Sequence, residues 1–335
     1  MGADNMSKKS KIITGLGAAS TLAAATDFFL CRTLFDQTLN RKKLKKGKQL
    51  SLADADLNDE QKTRRHKELL LCKKWIQNVA VDKVSVESED GLQLVGMIYP
   101  SHDHTSHRWA FVLHDYACTK EDMRTVARAF HEQGYHVLTP DARAHGESEG
   151  SLISLGWNER KDLLRWIDAV LEMDSQAEIV LYGISMGADT ILFCPQEKLP
   201  AAVRCIIEDG GYTSVYDILS WQMTHYYKMP PFPILDSMGV LVKQKMNFGI
   251  RKASALPKME KAVLPTLFLH GEKDVHVPCD MAFRLYDACQ SAKDLYIVEN
   301  SGHRLVVLSF PKALTETAYQ SFYKFLQDVV MYDCF

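Results

Sequence analysis

The sequence predicts an α/β domain whose mostly parallel sheet is covered by helices on both faces, with an antiparallel hairpin at its start and a helical cap. From about residue 82, short apolar runs alternate with amphipathic segments, which is the order that parallel sheets produce. Two runs, 82–88 and 92–99, flank the Asp90-Gly91 dipeptide, which favours a hairpin turn. The stretch 212–261 lies between two strands and is far longer than an α/β connection needs, so it predicts a cap insertion.

The other elements follow in chain order. A charged stretch at about 59–77 predicts a helix that leads into the domain. Six apolar runs after the hairpin predict strands: "WAFVLHD", "HVLTPD", "EIVLYGI", "VRCIIED", "LPTLFLHG" and "DLYIVE". Helices are predicted near 120–133, 157–172, 279–291 and 311–330, and directly after Ser185.

Composition excludes some classes of protein. A hydrophobic content of 46% and a charged content of 24% are ordinary for a soluble globular core. The net charge of −2 gives no reason to expect a nucleic-acid partner. The 8 cysteines form no C-x-x-C pair and no zinc-ligand spacing, which favours free thiols in a reducing compartment over a disulfide scaffold.

The N-terminus carries a weakly apolar stretch at about 12–31, preceded by Lys8, Lys9 and Lys11 and followed by the basic run 41–48. It can be a membrane anchor, a signal segment cut near Ala25, an amphipathic helix on a membrane surface, or a plain tail. Positive charges on both sides leave its orientation open. Membrane association through this segment and a cytoplasmic location both remain expectations.

These patterns divide the chain into three parts. Residues 1–50 form the N-terminal tail, 51–81 the helical lead-in, and 82–335 the main domain with its cap at about 212–261.

The stretch "LYGISMGADT" places Ser185 between two glycines, directly after an apolar run. Gly-Ile-Ser-Met-Gly fits the G-x-S-x-G pattern, in which a sharp strand-to-helix turn exposes a nucleophilic serine above a sheet. A serine hydroxyl needs a base within reach and a third group that orients the base. Asp274 and His303 each follow a predicted strand, where the carboxyl ends of parallel strands meet. Ser185 is therefore the candidate nucleophile, His303 the base and Asp274 the acid.

The order Ser, Asp, His, together with "LHDYACTKEDM", "PDARAHGESEG", "HGEKDVHVP" and "NSGH", resembles the α/β-hydrolases, in particular their serine-aminopeptidase-like and lysophospholipase-like members. The resemblance covers roughly residues 82 to 330. It implies the α/β-hydrolase fold and acyl-hydrolase chemistry. It also makes Asp209 the alternative acid, because some members of the family carry the acid one strand earlier. Four further residues match family positions that structure the loops around the strand-to-helix turn: His114, Asp141, Arg143 and His145.

Acyl hydrolysis also needs N–H donors for the oxyanion. One is expected from Met186, at the start of the helix after Ser185. The resemblance implies that the other is the N–H of Tyr116 in "HDY". Here the chain departs from the family, because Asp115 stands where a glycine is common.

We therefore expect a serine hydrolase that cleaves an ester or related acyl bond of a small-molecule substrate through an acyl-enzyme. The alternatives are a peptidase or amidase of the same fold, and a non-catalytic, membrane-tethered binding protein. No cofactor is expected, since the sequence has no P-loop and no G-x-G-x-x-G. No metal is expected either, since the histidines of "SHDHTSHRW" read as a solvated turn.

Overall fold

The computed structural model describes residues 26–43 and 59–303. Its eight strands are β1 (Asp82–Glu87), β2 (Gln93–Tyr99), β3 (Arg108–Leu113), β4 (His136–Pro140), β5 (Glu178–Ile184), β6 (Val203–Asp209), β7 (Thr266–Gly271) and β8 (Lys293–Val298). They form one sheet in the order β1-β2-β4-β3-β5-β6-β7-β8.

The helices within the described residues are α1 (26–39), α2 (Asp59–Ile76), α3 (Arg124–Glu132), α4 (Glu159–Met173), α5 (Met186–Leu192), α6 (Val215–Tyr226), α7 (Ile234–Met246), α8 (Leu256–Met259) and α9 (Asp280–Ala288). Three short 3₁₀ helices add Arg41–Lys43, Lys120–Met123 and Gln196–Lys198.

The sheet has an antiparallel edge and a parallel body. β1 pairs with β2 and β2 with β4 in antiparallel register, whereas the pairs from β4 through β3, β5, β6 and β7 to β8 are all parallel. The antiparallel hairpin and the mostly parallel sheet predicted from the sequence are confirmed.

The sheet separates two hydrophobic cores, because successive side chains in a strand point to opposite faces. On β5, Leu181 belongs to one buried cluster and Tyr182 to the other, and on β6 Ile206 and Ile207 divide in the same way. Both faces of the central strands are therefore covered, which explains why these strands read as continuous apolar runs.

Residues 26–43 pack against the main domain. Cys31, Phe35 and Leu39 are each about 1% exposed and belong to the larger core. The backbone N–H of Ile153 donates to the carbonyl of Leu39 at 2.8 Å. The division of the chain at residue 50 remains a prediction, but residues 26–43 of the predicted tail are packed on the main domain.

Other predictions fall outside the described residues. They concern the apolar stretch before residue 26, most of the basic run 41–48 and the helix near 311–330. Within 26–43 and 59–303, the structure has no helix that is both long and apolar enough to cross a bilayer.

The cap, residues 212–261, contains three helices, α6, α7 and α8. Leu219, Leu235 and Met238 are buried in the same core as the sheet face beneath them. The cap therefore lies on the larger of the two cores, next to the carboxyl end of β6.

Candidate active site

Ser185 lies in a strained turn between β5 and α5. Its φ of 51° and ψ of −114° are values that non-glycine residues rarely adopt. Two glycines make this turn possible, because a Cβ on Gly183 would overlap the backbone of Gly187, and a Cβ on Gly187 would overlap the carbonyl of Leu113. The G-x-S-x-G pattern thus reflects the close approach of α5 to β3 and β5.

His303 and Asp274 form a buried pair beside Gly210, the residue that follows β6. Nδ1 of His303 lies 2.6 Å from Oδ2 of Asp274, and the other carboxylate oxygen of Asp274 accepts the N–H groups of His276 (2.8 Å) and Val277 (2.9 Å). Burial by itself would raise the pKa of Asp274, but the charge and hydrogen bond of His303 hold it below its usual value. Asp274 is therefore a carboxylate held in a fixed position against the imidazole of His303.

Asp209 has a different environment. It ends β6, its Oδ2 accepts a 2.8 Å hydrogen bond from the hydroxyl of Tyr182, and its backbone carbonyl accepts the N–H of Ser185 at 2.8 Å. Burial raises the pKa of Asp209 to about 7. Of the two candidate acids, the structure brings Asp274 and not Asp209 into hydrogen-bond contact with His303.

Two histidines hold the loop after β3, residues 114–118. The Nδ1–H of His114 donates to the carbonyl of Asp115 at 2.8 Å, and its Nε2 accepts the N–H of Ala142 at 2.9 Å. His145 similarly donates to the carbonyl of Arg143 at 2.9 Å and accepts the N–H of Ala117 at 3.1 Å. Burial lowers the pKa of both imidazoles, so each stays neutral and can donate with one nitrogen while accepting with the other.

Asp141 and Arg143 join the neighbouring loops. The carboxylate of Asp141 accepts from Nζ of Lys120 at 2.6 Å and from the backbone N–H of Lys120 at 2.8 Å. Arg143 forms two-point contacts with Asp90 and with Asp162. These loop contacts agree with the structuring role that the sequence resemblance implies for these residues.

The two candidate oxyanion donors differ. Met186 is the first residue of α5 and is buried beside Ser185. The N–H of Tyr116 is already hydrogen-bonded, because it donates to Oδ1 of Asp115 at 2.5 Å. The other oxygen of this carboxylate, Oδ2, lies 3.3 Å from Nε2 of His303.

Asp115 thus occupies the space between the base and a predicted oxyanion donor. Among the described residues, no hydrogen bond joins the hydroxyl of Ser185 to His303, whose Nε2 faces Asp115 instead. Burial alone would lower the pKa of His303, but Asp274 and Asp115 together raise it to about 10. The sequence marked Asp115 only as a departure from the family pattern, and its contact with His303 was not foreseen.

The cap and the end of α1 both contact loops of the site. The hydroxyl of Tyr226 donates to the carbonyl of Val275 at 2.7 Å, and the ring of the adjacent His276 lies 5.2 Å from that of His303. At the end of α1, the carbonyl of Thr38 accepts a hydrogen bond from the hydroxyl of Tyr116 at 2.6 Å. The role of residues near Thr38 was also missed, since nothing in the tail sequence indicates a contact with the active-site loop.

Within residues 26–43 and 59–303, the structure has no group of three or more histidine, cysteine, aspartate or glutamate side chains arranged to hold a metal ion.

Comparison with known protein families gives a match over most of the domain. The sequence profile of the prolyl oligopeptidase family matches residues 121–331, more than half of the chain. This range includes Ser185, Asp274 and His303.

Individual relatives have low sequence identity to this chain. YqkD, an uncharacterized protein of Bacillus subtilis, is 28% identical over 177 residues, which are 52% of this chain and 58% of the relative. A lysophosphatidylserine lipase of Danio rerio is 26% identical over 223 residues, which are 63% of this chain and 53% of the relative. The chain thus spans little more than half the length of these two relatives. Among solved structures, an esterase of Pyrococcus furiosus has the same fold, with a TM-score of 0.60 and 20% identity over 76% of this chain and 93% of the esterase.

Proposed function

Because the chain belongs to the prolyl oligopeptidase family of α/β-hydrolases, we propose that it is a serine hydrolase that cleaves an ester or related acyl bond through an acyl-enzyme on Ser185. The observation that carries the proposal is the buried pair of His303 and Asp274, 2.6 Å apart, at the carboxyl edge of the sheet where Ser185 is held at positive φ. A base oriented by a carboxylate, next to a serine presented on a strained turn, is the arrangement that activates a hydroxyl for acyl transfer.

In this proposal Ser185 attacks the acyl carbonyl and its proton passes to Nε2 of His303, while Asp274 holds the Nδ1–H. The imidazolium then gives that proton to the departing alcohol or amine. Water then attacks the acyl-enzyme, with His303 again taking the proton, and the carboxylic acid product leaves Ser185. Met186 and Tyr116 would supply backbone N–H groups to the oxyanion, each worth about 3 kcal/mol in the transition state.

The cap supports an apolar acyl group as the substrate. Trp221 and Tyr226 of α6 both contact the carbonyl of Val275, on the loop that carries Asp274. Aromatic side chains beside a polar catalytic centre are typical of sites for apolar ligands. The lysophosphatidylserine lipase relative adds support for a lipid ester.

A peptidase or amidase is the second candidate, and the observation that favours it is the match to the prolyl oligopeptidase family. The same triad can serve both reactions, since they share the acyl-enzyme. Hydrolysis rates for an ester and for an amide with the same acyl group would separate them.

The experiment is labelling with a fluorophosphonate probe, which reacts with activated serines. The wild type should be labelled and should hydrolyse p-nitrophenyl esters, whereas Ser185→Ala should do neither while keeping the same unfolding temperature. Ser301→Ala is the matched control, because Ser301 is a buried serine two residues from His303 whose hydroxyl has no partner among the described residues. Labelling of Ser185→Ala at the wild-type rate would contradict the proposal. A wild type that neither reacts with the probe nor hydrolyses any ester or amide would favour the non-catalytic binding protein.

A further inference from the structure

The carboxylate of Asp115 touches two groups that the proposed reaction uses. Oδ1 accepts the N–H of Tyr116 at 2.5 Å, and Oδ2 lies 3.3 Å from Nε2 of His303. Asp115 is about 2% exposed, and its backbone carbonyl accepts both the Nδ1–H of His114 and the N–H of Cys118. The side chain is therefore held in the site by a rigid loop.

This arrangement cannot persist during acyl transfer. The N–H of Tyr116 cannot bind the oxyanion while it donates to Asp115, and a carboxylate at that place repels the negative charge of the tetrahedral intermediate. Nε2 of His303 must be neutral to take the serine proton, yet a facing carboxylate favours the charged imidazolium.

We propose that Asp115 is a positioning residue that keeps the resting site inactive, because its carboxylate contacts His303 and occupies the N–H of Tyr116. In each turnover, the acyl carbonyl of the substrate displaces this carboxylate. The proposal rests on the proposed function and deepens it, because it names the residue that limits the activity of that site. The expected consequence is unusual for an active-site carboxylate: its removal should increase the rate.

The charges around His303 determine the size of the effect. Three carboxylates and two imidazoles face or adjoin His303: Asp115 from the loop after β3, Asp209 from the end of β6, and Asp274, His270 and His276 from β7 and the loop after it. Although burial opposes the charge of His303, Asp274 and Asp115 raise its pKa to about 10. The charged imidazolium is therefore favoured over the neutral base at pH 7.

Removal of one carboxylate should lower the pKa of His303. The neutral form required for catalysis then appears at lower pH, so the acid limb of the kcat/KM profile moves to lower pH. Because the neutral fraction at pH 7 is small, a tenfold weaker proton affinity of the imidazole raises kcat/KM at pH 7 about tenfold.

The experiment compares Asp115→Asn, which keeps the shape without the charge, with Asp115→Gly, which also releases the N–H of Tyr116. Asp122→Asn is the matched control, because it removes one charge from an exposed aspartate in the same connection between β3 and α3. Two quantities are measured in each variant: kcat/KM for a p-nitrophenyl ester between pH 5 and pH 10, and the imidazole pKa of His303 by NMR, assigned by its loss in His303→Gln.

We expect Asp115→Asn to weaken the proton affinity of His303 about tenfold or more, seen as a lower imidazole pKa, and to raise kcat/KM at pH 7 by the same factor. Asp115→Gly should raise kcat/KM at least as much, and Asp122→Asn should have the same kcat/KM and the same imidazole pKa as the wild type. Unfolding temperatures identify any variant that does not fold, and the isosteric Asn variant then decides the outcome.

An unchanged pKa of His303, or a lower kcat/KM in both Asp115 variants, would overturn the proposal while the proposed function stands. If neither wild type nor variants hydrolyse esters or amides or react with a fluorophosphonate, the proposed function fails. A lower pKa of His303 in that case would show only the electrostatic contact, and the role in turnover would be rejected.

Discussion

The hydroxyl of Tyr116 donates a 2.6 Å hydrogen bond to the carbonyl oxygen of Thr38, so the loop that carries a candidate oxyanion donor is tied to the end of α1. Arg41 extends the connection, because its guanidinium donates to the carbonyls of Ser148 (2.7 Å) and Gly146 on the neighbouring loop. Residues 38–41 therefore support two loops at the carboxyl edge of the sheet, and their removal should affect both stability and catalysis.

Two truncations separate the packed and the undescribed parts of the N-terminus. A protein that lacks residues 1–25 should unfold at nearly the wild-type temperature and keep its esterase activity. A protein that lacks residues 1–43 loses the buried side chains of Cys31, Phe35 and Leu39, of which the last two each contribute about 1.5–3 kcal/mol by burial. Thermal unfolding and kcat/KM measure the difference.

The same pair tests membrane association. We expect the full-length chain to float with lipid vesicles and the protein without residues 1–25 to stay in the lipid-free fraction. Equal flotation would reject the anchor, and equal stability of the 1–43 deletion and the wild type would reject the packing role of α1.

The two candidate acids should respond differently to loss of charge. Asp274→Asn should reduce kcat about ten-thousandfold, because the imidazole loses the partner that fixes its tautomer. Asp209→Asn should cost much less, since Asp209 is hydrogen-bonded to Tyr182 and not to His303. Steady-state kinetics on one p-nitrophenyl ester measures both variants, and the reverse ranking would assign the acid to the end of β6.

The buried pair of Lys120 and Asp141 should make stability depend on acid pH. Burial by itself raises the pKa of Asp141, but hydrogen bonds from the Lys120 side chain and from backbone N–H groups hold it below its ordinary value. A carboxyl whose folded pKa is depressed stabilises the fold above its unfolded pKa of about 3.9, and this contribution is lost as pH falls through the lower folded pKa.

Asp141→Asn should therefore destabilise the protein at pH 7, by about 3 kcal/mol, because it leaves the buried ammonium of Lys120 without its nearest partner. The wild type should lose this higher stability relative to Asp141→Asn below about pH 4. Unfolding temperatures from pH 7 to pH 3 measure the convergence of the two curves. Glu89→Gln is the control, since Glu89 pairs with Lys161 on the surface, and parallel curves for Asp141→Asn and the wild type would contradict the prediction.

The cap should set the preferred acyl chain. Each methylene buried in an apolar pocket contributes about 0.8 kcal/mol, roughly fourfold in binding. We expect kcat/KM for p-nitrophenyl esters to rise from acetate to medium chains and then to fall. Trp221→Ala should shift this optimum more than it lowers the maximum, because Trp221 lies half-buried beside the Val275 loop.

Phe232→Ala is the matched control for the cap, because Phe232 is an aromatic residue of the same segment that is 73% exposed. It should leave the chain-length profile unchanged. A flat profile in the wild type, or a strong preference for acetate, would favour a small polar substrate.

The order of strands and helices could be predicted from the sequence, because each element depends on periodicity over a few neighbouring residues. The hairpin around Asp90-Gly91 and the turn at Ser185 were predictable for the same reason, since glycine and turn chemistry act locally. The positions of Asp274 and His303 after successive strands followed from the rule that the carboxyl ends of parallel strands share one edge.

The contacts between distant segments required the folded chain. Periodicity placed Asp274 and Asp209 at the same edge, but only side-chain distances bring Asp274, and not Asp209, onto Nδ1 of His303. The carboxylate of Asp115 reaches Nε2 because two neutral histidines hold its loop, and Tyr116 reaches Thr38 because α1 packs on the core. Such contacts depend on how segments far apart in the chain pack together, and local patterns carry no information about that packing.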